Sequence, residues 1–404
     1  MPKVNTLEKI SETDDSVEAL LDRVRALQPL IRENAAKGEQ DRRVPEPVIA
    51  ALKEAGAFRL GTPRRFGGYQ GNMKAFLDLS SIVAEADGGT AWVVTLVNVC
   101  NFFAGLFSES AKEKIFGANP DALISGVHSA SATSRKVEGG YRVTGKWFYN
   151  SAGWHSDWAL LGIPLVDDEG KTYDRGWAII PASELKLEDT WFVAGMAASG
   201  SISRIAEDVF VPDDMVASVS EAIKGGLPEM KLAGEPEYSS AVVPVFSLVL
   251  IGPQLGLGRA ALDFVTSKAP TKAIYDTVFT SATQSVGFQL QIAKAATLIE
   301  TAHLHAYKCA EEIDAAALAG VYPTTKARAK MRAHVATVAE SITQAIDALL
   351  FAHGASSFAL NNPLQRIWRD SAVGARHAAI TPQIAYETWG KELLGISDHV
   401  TPLV

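Results

Sequence analysis

The spacing of apolar residues predicts helices over the first part of the chain. In Val17–Ala35, apolar residues recur at intervals of three and four with charged residues between them, which is typical of an amphipathic helix. A second helix is predicted to begin near Pro45 and Pro47 and to end at Gly56, because proline suits the first helical turn and glycine the position after the last. Helical spacing returns over residues 72–86. This part is therefore predicted to be helical.

The longest apolar stretch of the chain is Ala91–Phe107. It just reaches the length needed to span a membrane, but it contains Asn98 and Asn101 and has no basic residues on its flanks. A buried core helix is therefore predicted here, and no membrane association is expected.

Short apolar runs replace the helical spacing near Asp121. Arg135–Glu138 and Tyr141–Thr144 flank Gly139 and Gly140, and such a glycine pair favours the tight turn of a β-hairpin. Further short runs, separated by turn residues, are Trp158–Ile163, Gly176–Ile180, Leu185–Leu187 and Ile202–Val211. The pattern predicts a small antiparallel β domain.

Long stretches with helical spacing return after Tyr238, and they predict a C-terminal four-helix bundle. The four candidates are Val242–Thr266, Thr280–Leu318, Thr324–Ala352 and Asn362–Leu394. The predicted fold class is thus α+β, in three domains. These are an N-terminal helical domain over residues 1–121, a middle β-barrel-like domain over 122–235 and the bundle over 236–404.

Charge and cysteine content narrow the possible environments and partners. The 38 basic and 46 acidic residues give a net charge of -8, which argues against binding to nucleic acid. Cys100 and Cys309 are too few for a disulfide framework, which suggests a reducing, cytoplasmic setting. Residues 1–15 are polar and contain no apolar stretch, so no signal peptide is expected.

Two motifs in the sequence resemble ligand-binding sites, but neither is predicted to bind a nucleotide or a metal. Gly256–Ala261 fits the G-x-G-x-x-A dinucleotide pattern, but no alternation of strands and helices follows it. Gly252 and Gly256 are instead predicted to permit close packing of helices. His303 and His305 have no further metal ligands at suitable spacing, and no metal site is predicted.

Two other clusters leave a functional and a structural interpretation open. Residues 145–158 crowd aromatic and hydroxyl side chains together, which suits either a planar ligand or an aromatic core. Near the C-terminal end, Arg366, Arg369, Arg376 and His377 suit either an anionic cofactor or a helix face bearing salt bridges.

The order of the domains resembles the acyl-CoA dehydrogenase fold, and the clusters resemble its monooxygenase branch. That branch contains the oxygenase components of two-component, reduced-flavin hydroxylases (group D flavin monooxygenases), including the p-hydroxyphenylacetate, seco-steroid phenol, dibenzothiophene and indole oxygenases. The matching stretches are Arg43–Pro45, Phe66–Gly68, Gly89–Trp92, Trp147–Trp158, Thr190–Trp191, Gly195–Ser201, Val209–Pro212, His353–Ser356 and Gln365–His377. The resemblance extends over nearly the whole chain.

The resemblance implies an activity, cofactors and partners. A separate flavin reductase would supply FADH2 or FMNH2, and dioxygen would add at flavin C4a to give a hydroperoxide that hydroxylates an electron-rich aromatic ring. Family members assemble as homotetramers (dimers of dimers). A basic residue from a neighbouring subunit binds the flavin phosphate in the family, but Lys268–Lys272 contains no arginine, so the phosphate ligand is unassigned.

The resemblance also assigns site residues. Ser151 is expected near flavin N5 and His377 near the C4a edge, both as catalytic residues. The flavin is expected to contact Trp92, Ser125, Gly126, Tyr149, Asn150, Ser151, Ala355, Ser356, His377 and Ala378.

The expected substrate pocket contains Trp92, Cys100 and His128. Phenol-hydroxylating relatives often carry a histidine near the position of Cys100, so its absence favours an indole-type substrate over a phenol. Acyl-CoA dehydrogenases commonly place a catalytic glutamate nine residues after the arginine of an Arg-Asp pair. Here Ala378 stands nine residues after Arg369. A dehydrogenase-type flavin oxidoreductase and a catalytically silent flavin-binding scaffold are the alternatives.

Overall fold

A computed structural model describes residues 16–231, 234–398 and 400–404 of the chain. The expectation about a signal peptide falls on residues 1–15 and lies outside this described part. Helices occupy the N-terminal and C-terminal regions, and strands occupy the middle.

The N-terminal region is helical, as predicted. Its helices are α1 (Val17–Ala26), α2 (Gln28–Asp41), α3 (Glu46–Glu54), α4 (Met73–Ala84), α5 (Gly88–Ala104) and α6 (Glu109–Lys112). The helix predicted over Val17–Ala35 is divided at Leu27, because Pro29 in the first turn of α2 has no N–H to donate to α1. Every residue of α5 is buried, which confirms the prediction of a core helix.

The middle region forms two four-stranded sheets with the orders β1-β4-β5-β8 and β2-β3-β7-β6. The strands are β1 (Ile124–Val127), β2 (Ala132–Val137), β3 (Gly140–Asn150), β4 (Trp158–Val166), β5 (Thr172–Pro181), β6 (Lys186–Glu188), β7 (Ile202–Pro212) and β8 (Val216–Ser218). The predicted hairpin is confirmed between β2 and β3, with Gly139 at φ +75. One pair differs from the prediction: β1 and β4 are parallel, which is possible because β2 and β3 provide a long crossover between them.

Two of the four helices predicted after the strands, Val242–Thr266 and Asn362–Leu394, are each divided in two, and this region contains the following helices. They are α7 (Val219–Lys224), α8 (Val242–Val249), α9 (Gly252–Lys268), α10 (Val286–Leu318), α11 (Thr325–His353), α12 (Pro363–Gly374) and α13 (Pro382–Leu394). The helix predicted over Asn362–Leu394 is interrupted by residues 375–381, since Pro382 favours the start of a new helix. This interruption, the α12–α13 connection, contains His377.

The packing of the bundle explains its glycines and its apolar helices. A Cβ on Gly252 or Gly256 would overlap residues of α4, which confirms that these glycines allow α9 to approach α4 closely. The apolar segments Val242–Thr271 and Thr325–His353 are long enough to cross a membrane, but most of each apolar window is buried within the protein. We interpret them as internal helices of the bundle.

Candidate functional site

A cavity of about 660 Å³ lies where the three regions meet. Its wall is built from α5, the two sheets, α7, α8, α11 and the α12–α13 connection. Ser151 and His377, which lie 226 positions apart in the sequence, both line it. The structure therefore brings together the two residues that sequence analysis assigned to catalysis.

One end of the cavity is bordered by a chain of hydrogen bonds between buried side chains. The indole Nε1 of Trp92, on α5, donates to Ser151 Oγ over 3.1 Å. Ser151 Oγ lies 2.8 Å from Ser201 Oγ, which lies 2.7 Å from Ser199 Oγ. A hydroxyl offers one donor and two acceptor positions. When Ser151 donates to Ser201, it therefore keeps one acceptor position for a ligand N–H.

The turn after β3 positions Ser151. Tyr149 and Ala152 adopt positive φ values of 65 and 60, which are uncommon for residues other than glycine. The Ala152 backbone N–H donates to the Ser199 carbonyl over 2.9 Å. The turn is thus tied to the same segment that supplies Ser201, and Ser151 has a fixed place on the wall.

His377 approaches the same end from the α12–α13 connection. Its ring centroid lies 5.8 Å from that of Trp92. The Ala379 backbone N–H donates to His377 Nδ1 over 3.2 Å, so the neutral ring carries its proton on Nε2. Burial disfavours the charged ring and lowers the pKa of His377 to about 4. We call Trp92, Ser151, Ser201 and His377 the hydroxyl end.

Beside the hydroxyl end lies a cage of aromatic rings, in which the ring centroid of Phe246 is 5.8 Å from that of His377. The ring centroid of His128 lies 4.5 Å from Phe246 and 5.6 Å from Trp177, and Phe103 stacks on Trp177 at 5.0 Å. His128 Nε2 and Trp177 Nε1 are buried, and neither has a hydrogen-bond partner among the described residues. Burial, with a smaller effect from His377, lowers the pKa of His128 to about 4. We call Phe103, His128, Trp177 and Phe246 the aromatic end.

The remaining residues predicted to bind flavin divide into two groups. Gly126, Tyr149 and Ala378 line the cavity together with Trp92, Ser151 and His377. Outside it lie Ser125, whose hydroxyl donates to the Trp158 carbonyl, Asn150, whose Oδ1 accepts from Arg204, and Ala355 and Ser356 beyond the end of α11. Ser356 Oγ accepts from Lys272 Nζ over 2.9 Å.

Of the predicted substrate-pocket residues, Trp92 and His128 line the cavity and Cys100 does not. A Cβ placed on Gly126 would lie 2.5 Å from Cys100 Sγ. The Cys100 thiol therefore packs behind Gly126, where the missing side chain leaves room for it.

The arginines near the C-terminal end have two different environments. Arg369 pairs with Glu39 at 2.5 Å, and Arg366 lies 4.0 Å from Glu39 and 3.8 Å from Asp87. These two arginines therefore join α12 to the N-terminal helices, in agreement with the salt-bridge interpretation. Arg376 instead lines the cavity.

A buried carboxylate lies behind the hydroxyl end. Asp370 Oδ1 accepts from the backbone N–H of Met196 over 2.6 Å, and Met196, at φ +56, lines the cavity. Burial and the neighbouring carboxylate of Asp87 raise the pKa of Asp370 to about 7. The backbone at Met196 is thus held by the side chain of Asp370, whose ionised form is destabilised by burial and by Asp87.

Sequence reasoning missed several residues of the cavity wall. Arg175 and Trp177 occur two positions apart on β5, so that strand alternation directs both to one face. That alternation was a usable signal, whereas the approach of α8 and α11 was not encoded in any local pattern. The missed residues are Phe103, Arg175, Trp177, Ser201, Phe246 and Arg332.

Comparisons with known proteins agree with this architecture. The family described as "Acyl-CoA dehydrogenase, C-terminal domain" matches residues 248–382. The oxygenase subunit HsaA of a flavin-dependent monooxygenase from Rhodococcus jostii (strain RHA1) is 30% identical over 93% of this chain and 98% of its own. The oxygenase component of an FADH(2)-dependent resorcinol hydroxylase from Rhizobium sp. (strain MTP-10005) is 28% identical over 93% and 94%.

A solved structure extends the comparison to three dimensions. XiaF from Streptomyces sp., in complex with FADH2 and glycerol, superposes with a TM-score of 0.89 at 33% identity, covering 96% of this chain and 97% of that one. The predicted family and fold class are thereby confirmed. The chain belongs to the flavin-dependent monooxygenases, as an oxygenase component with the acyl-CoA dehydrogenase fold.

Proposed function

We propose that this protein hydroxylates an electron-rich, indole-type ring held at the aromatic end, with reduced flavin against the hydroxyl end. Membership of the family gives the enzyme its cofactors, reduced flavin and dioxygen, and its need for a separate reductase. The observation that supports the proposal is the convergence of Ser151 and His377 on one cavity beside Trp92.

The residues at the hydroxyl end fit a flavin. The acceptor position left on Ser151 Oγ suits a ring N–H, and the Trp92 ring offers a flat apolar surface. A volume of about 660 Å³ is within the usual range for sites that hold organic ligands. When bound, reduced flavin supplies the electrons that activate dioxygen, of which one atom is transferred to the aromatic ring.

Ser151 and His377 would control protons in this site. By accepting a hydrogen bond from the N–H at flavin N5, Ser151 would hold that proton in place. The Nε2–H of His377 would donate a hydrogen bond or a proton at the C4a edge, and the low pKa keeps the ring neutral at physiological pH. Ser151 is buried and His377 is partly buried, and these positions would limit the access of water.

The aromatic end favours a neutral ring over a phenolate. His128 is the histidine at this end, and its pKa of about 4 makes it too weak a base to remove a phenol proton. An indole-type ring needs no such deprotonation, because its nitrogen already supplies electron density. The aromatic cage would hold the ring by stacking and edge contacts.

The experiment that tests the function supplies the protein with photoreduced FAD or FMN under ¹⁸O-labelled dioxygen and a panel of indoles and phenols. An aromatic product that carries one labelled oxygen atom supports the proposal, and higher turnover of indoles supports the substrate preference. A dehydrogenase would instead bleach oxidised flavin when an acyl-CoA is added, and a scaffold would do neither.

Among the described residues, the dehydrogenase alternative finds no carboxylate base in this cavity. Among the described residues that line it, there is no aspartate or glutamate, whereas removal of an α-proton requires a positioned base. The acid that precedes the α12–α13 connection, Asp370, is buried behind Met196.

Assembly and location belong to the same proposal. Large apolar side chains are exposed on α10, among them Val286, Leu290 and Leu304, which supports a homotetramer with further subunits packed on the bundle. In such a tetramer, Lys272 and Ser356 would lie outside their own cavity and be available to a neighbouring flavin. Buried free Cys100 and Cys309 support a cytoplasmic location.

A further inference from the structure

The wall of the cavity carries positive charge without nearby acids. Arg175, Arg332 and Arg376 line it, and no aspartate or glutamate does so among the described residues. The chain as a whole has more acidic than basic residues, 46 against 38, so composition does not account for this arrangement. Arg376 is exposed and Arg175 is half-buried, so the cost of an uncompensated charge in an apolar enclosure falls mainly on Arg332.

Arg332 is the most enclosed of the three. Arg332 is 7% exposed, and its Nη1 donates to the Leu403 carbonyl over 2.5 Å. Its buried Nε has no hydrogen-bond partner among the described residues. Burial lowers the pKa of its guanidinium. Arg366 and Arg369, by contrast, lie beside the carboxylate of Glu39. Arg332 therefore differs from these two arginines, because it forms no ion pair in the described part of the chain.

Arg175 lies on the same wall as the aromatic end. It occurs two residues before Trp177 on β5, and both side chains line the cavity. The carboxylate of the adjacent Asp174 is occupied by Ser218 and Ser220, and no ion pair joins it to Arg175 in the described part of the chain.

Helix α7 connects the two arginines. Ser218, which immediately precedes α7, pairs with Gly176 next to Arg175. At the other end of α7, Tyr322 Oη donates to the Ile223 carbonyl just before α11, the helix that carries Arg332. Arg175 and Arg332 therefore belong to the half of the cavity beside α7, whereas Arg376 adjoins His377 at the hydroxyl end.

We propose that Arg175 and Arg332 bind a carboxylate of the substrate, so that the enzyme acts on an aromatic acid. The inference rests on the proposed function and specifies its substrate class. A guanidinium offers planar N–H groups that match a carboxylate, and such charge-assisted hydrogen bonds are stronger than neutral ones. A carboxylate on a short side chain of the ring would supply a negative charge, for which neither arginine has an ion-pair partner among the described residues, and an acceptor for Arg332 Nε.

The test compares acids with their uncharged amides in the flavin-loaded protein. Calorimetric binding of indole-3-acetate and 4-hydroxyphenylacetate is measured against indole-3-acetamide and 4-hydroxyphenylacetamide. We expect each acid to bind at least about tenfold more tightly than its amide, which is the effect of a strong charged hydrogen bond. Arg175→Gln and Arg332→Gln should reduce this ratio to about twofold or less. Equal affinities of acid and amide in the unaltered protein would overturn the proposal.

Two further variants serve as controls for this test. Arg135→Gln changes an exposed arginine of the same β region and should keep the preference for the acid. Arg332→Lys retains the charge and should keep part of the preference even where Arg332→Gln folds poorly. If the arginine variants retain the full preference, the carboxylate is bound elsewhere and the proposal is wrong.

The flavin phosphate is the other possible source of an anion. The same variants without flavin are therefore titrated with FMN and with riboflavin, which lacks the phosphate. Unchanged FMN affinity supports the proposal, whereas a loss confined to FMN assigns the arginines to the cofactor and overturns it. Failure of the proposed function has a separate signature: the acids bind with the expected preference, but labelled oxygen does not enter them.

Discussion

The two ends of the cavity differ in how completely their buried polar groups are hydrogen-bonded. At the hydroxyl end, Trp92, Ser151 and Ser201 hydrogen-bond to one another and to Ser199. At the aromatic end and beside α7, buried nitrogen atoms of His128, Trp177 and Arg332 have no hydrogen-bond partner within the described part of the chain. In the free protein, the hydroxyl end therefore has a continuous set of hydrogen bonds, whereas the aromatic end and the region beside α7 contain unpaired groups.

This difference indicates how each end meets its ligand. A completed network holds its atoms in place before binding, so little reorganisation is needed when a flavin arrives. An unpaired buried donor costs roughly 1–3 kcal/mol, and a ligand that satisfies it recovers that free energy. The hydroxyl end therefore suits orientation of the reacting groups, and the aromatic end suits selection of the substrate.

Replacement of His377 should have the largest effect at the hydroxyl end. We expect His377→Ala to lower the rate of product formation by about 100-fold, the usual range for loss of a proton-transferring group. Flavin affinity should change by less than about threefold, because the Trp92 and Ser151 contacts remain. Rapid-mixing measurements with reduced flavin, oxygen and substrate determine both quantities.

His303→Ala provides the matched control for this variant. His303 is also a buried histidine whose pKa is lowered to about 4, but it contacts Arg259 outside the cavity. Its replacement should leave product formation nearly unchanged. Similar losses in the two variants would show a general effect of removing a buried histidine and would contradict the role of His377.

Replacement of Ser151 should uncouple flavin oxidation from hydroxylation. In Ser151→Ala the acceptor for a flavin N–H is lost, and we expect product formed per reduced flavin to fall about tenfold while hydrogen peroxide release rises. Flavin affinity should be largely retained. Product and peroxide are quantified together after single turnovers.

Ser199→Ala separates Ser151 from the network behind it. Ser199 is the most distant hydroxyl of the chain and does not line the cavity, so its loss should change the yield by about twofold or less. If Ser199→Ala uncouples the reaction as strongly as Ser151→Ala, the network as a whole, and not the Ser151 hydroxyl, controls the proton.

Acidification should lower the stability of the folded protein through one histidine at each end of the cavity. Burial lowers the pKa of His128 and of His377 to about 4, against an ordinary value of 6.5. The unfolded chain therefore takes up protons first as the pH falls. The contribution of the neutral rings to stability is present above about pH 6.5 and is lost as the pH falls through 4.

The measurement is the thermal unfolding midpoint between pH 7 and pH 4.5, with product formation recorded over the same range. We expect the midpoint to fall on acidification, and product formation to be nearly constant from pH 8 to 6. His128→Phe should reduce the acid-induced shift of the midpoint. An unfolding midpoint that these rings do not lower on acidification, together with product formation that titrates near pH 6.5, would show that the rings are exposed to solvent.

Local patterns predicted most of the fold because they report directly on local structure. The alternation on β2 and β3 and the helical spacing of Asn72–Ala86 specify elements that hold without distant contacts. The interruption at residues 375–381 was less visible, because apolar residues continue through it and Pro382 is its main signal. The parallel pairing of β1 and β4 depends on a crossover that no local pattern shows.

The site was predictable in part, for a similar reason. Ser151 and His377 came from the resemblance to a family, and the structure places them on one cavity. Arg175 and Arg332 belong to elements 157 positions apart, and an arginine on a strand or helix looks like any surface residue until its surroundings are known. Their lack of acidic partners is a property of the folded wall.

The smallest effect is expected behind the hydroxyl end, at the buried acid that holds the backbone of Met196. Burial beside Asp87 raises the pKa of Asp370 to about 7, above its ordinary value of 3.8. The folded protein therefore binds a proton more tightly than the unfolded chain, and this contribution to stability is lost as the pH rises through 7. Asp370→Asn cannot ionise and can still accept from Met196. The advantage of this variant should grow as the pH rises from 3.8 to 7, so we expect its unfolding midpoint to gain about 1–2 °C on that of the unaltered protein between pH 5.5 and pH 8. Asp214→Asn is the control of opposite sign, because the hydrogen bonds from Lys114 and Ser110 lower the pKa of Asp214 and its ionised form is stabilising. A loss of stability at pH 8 in both variants would show that the negative charge of Asp370 stabilises the fold.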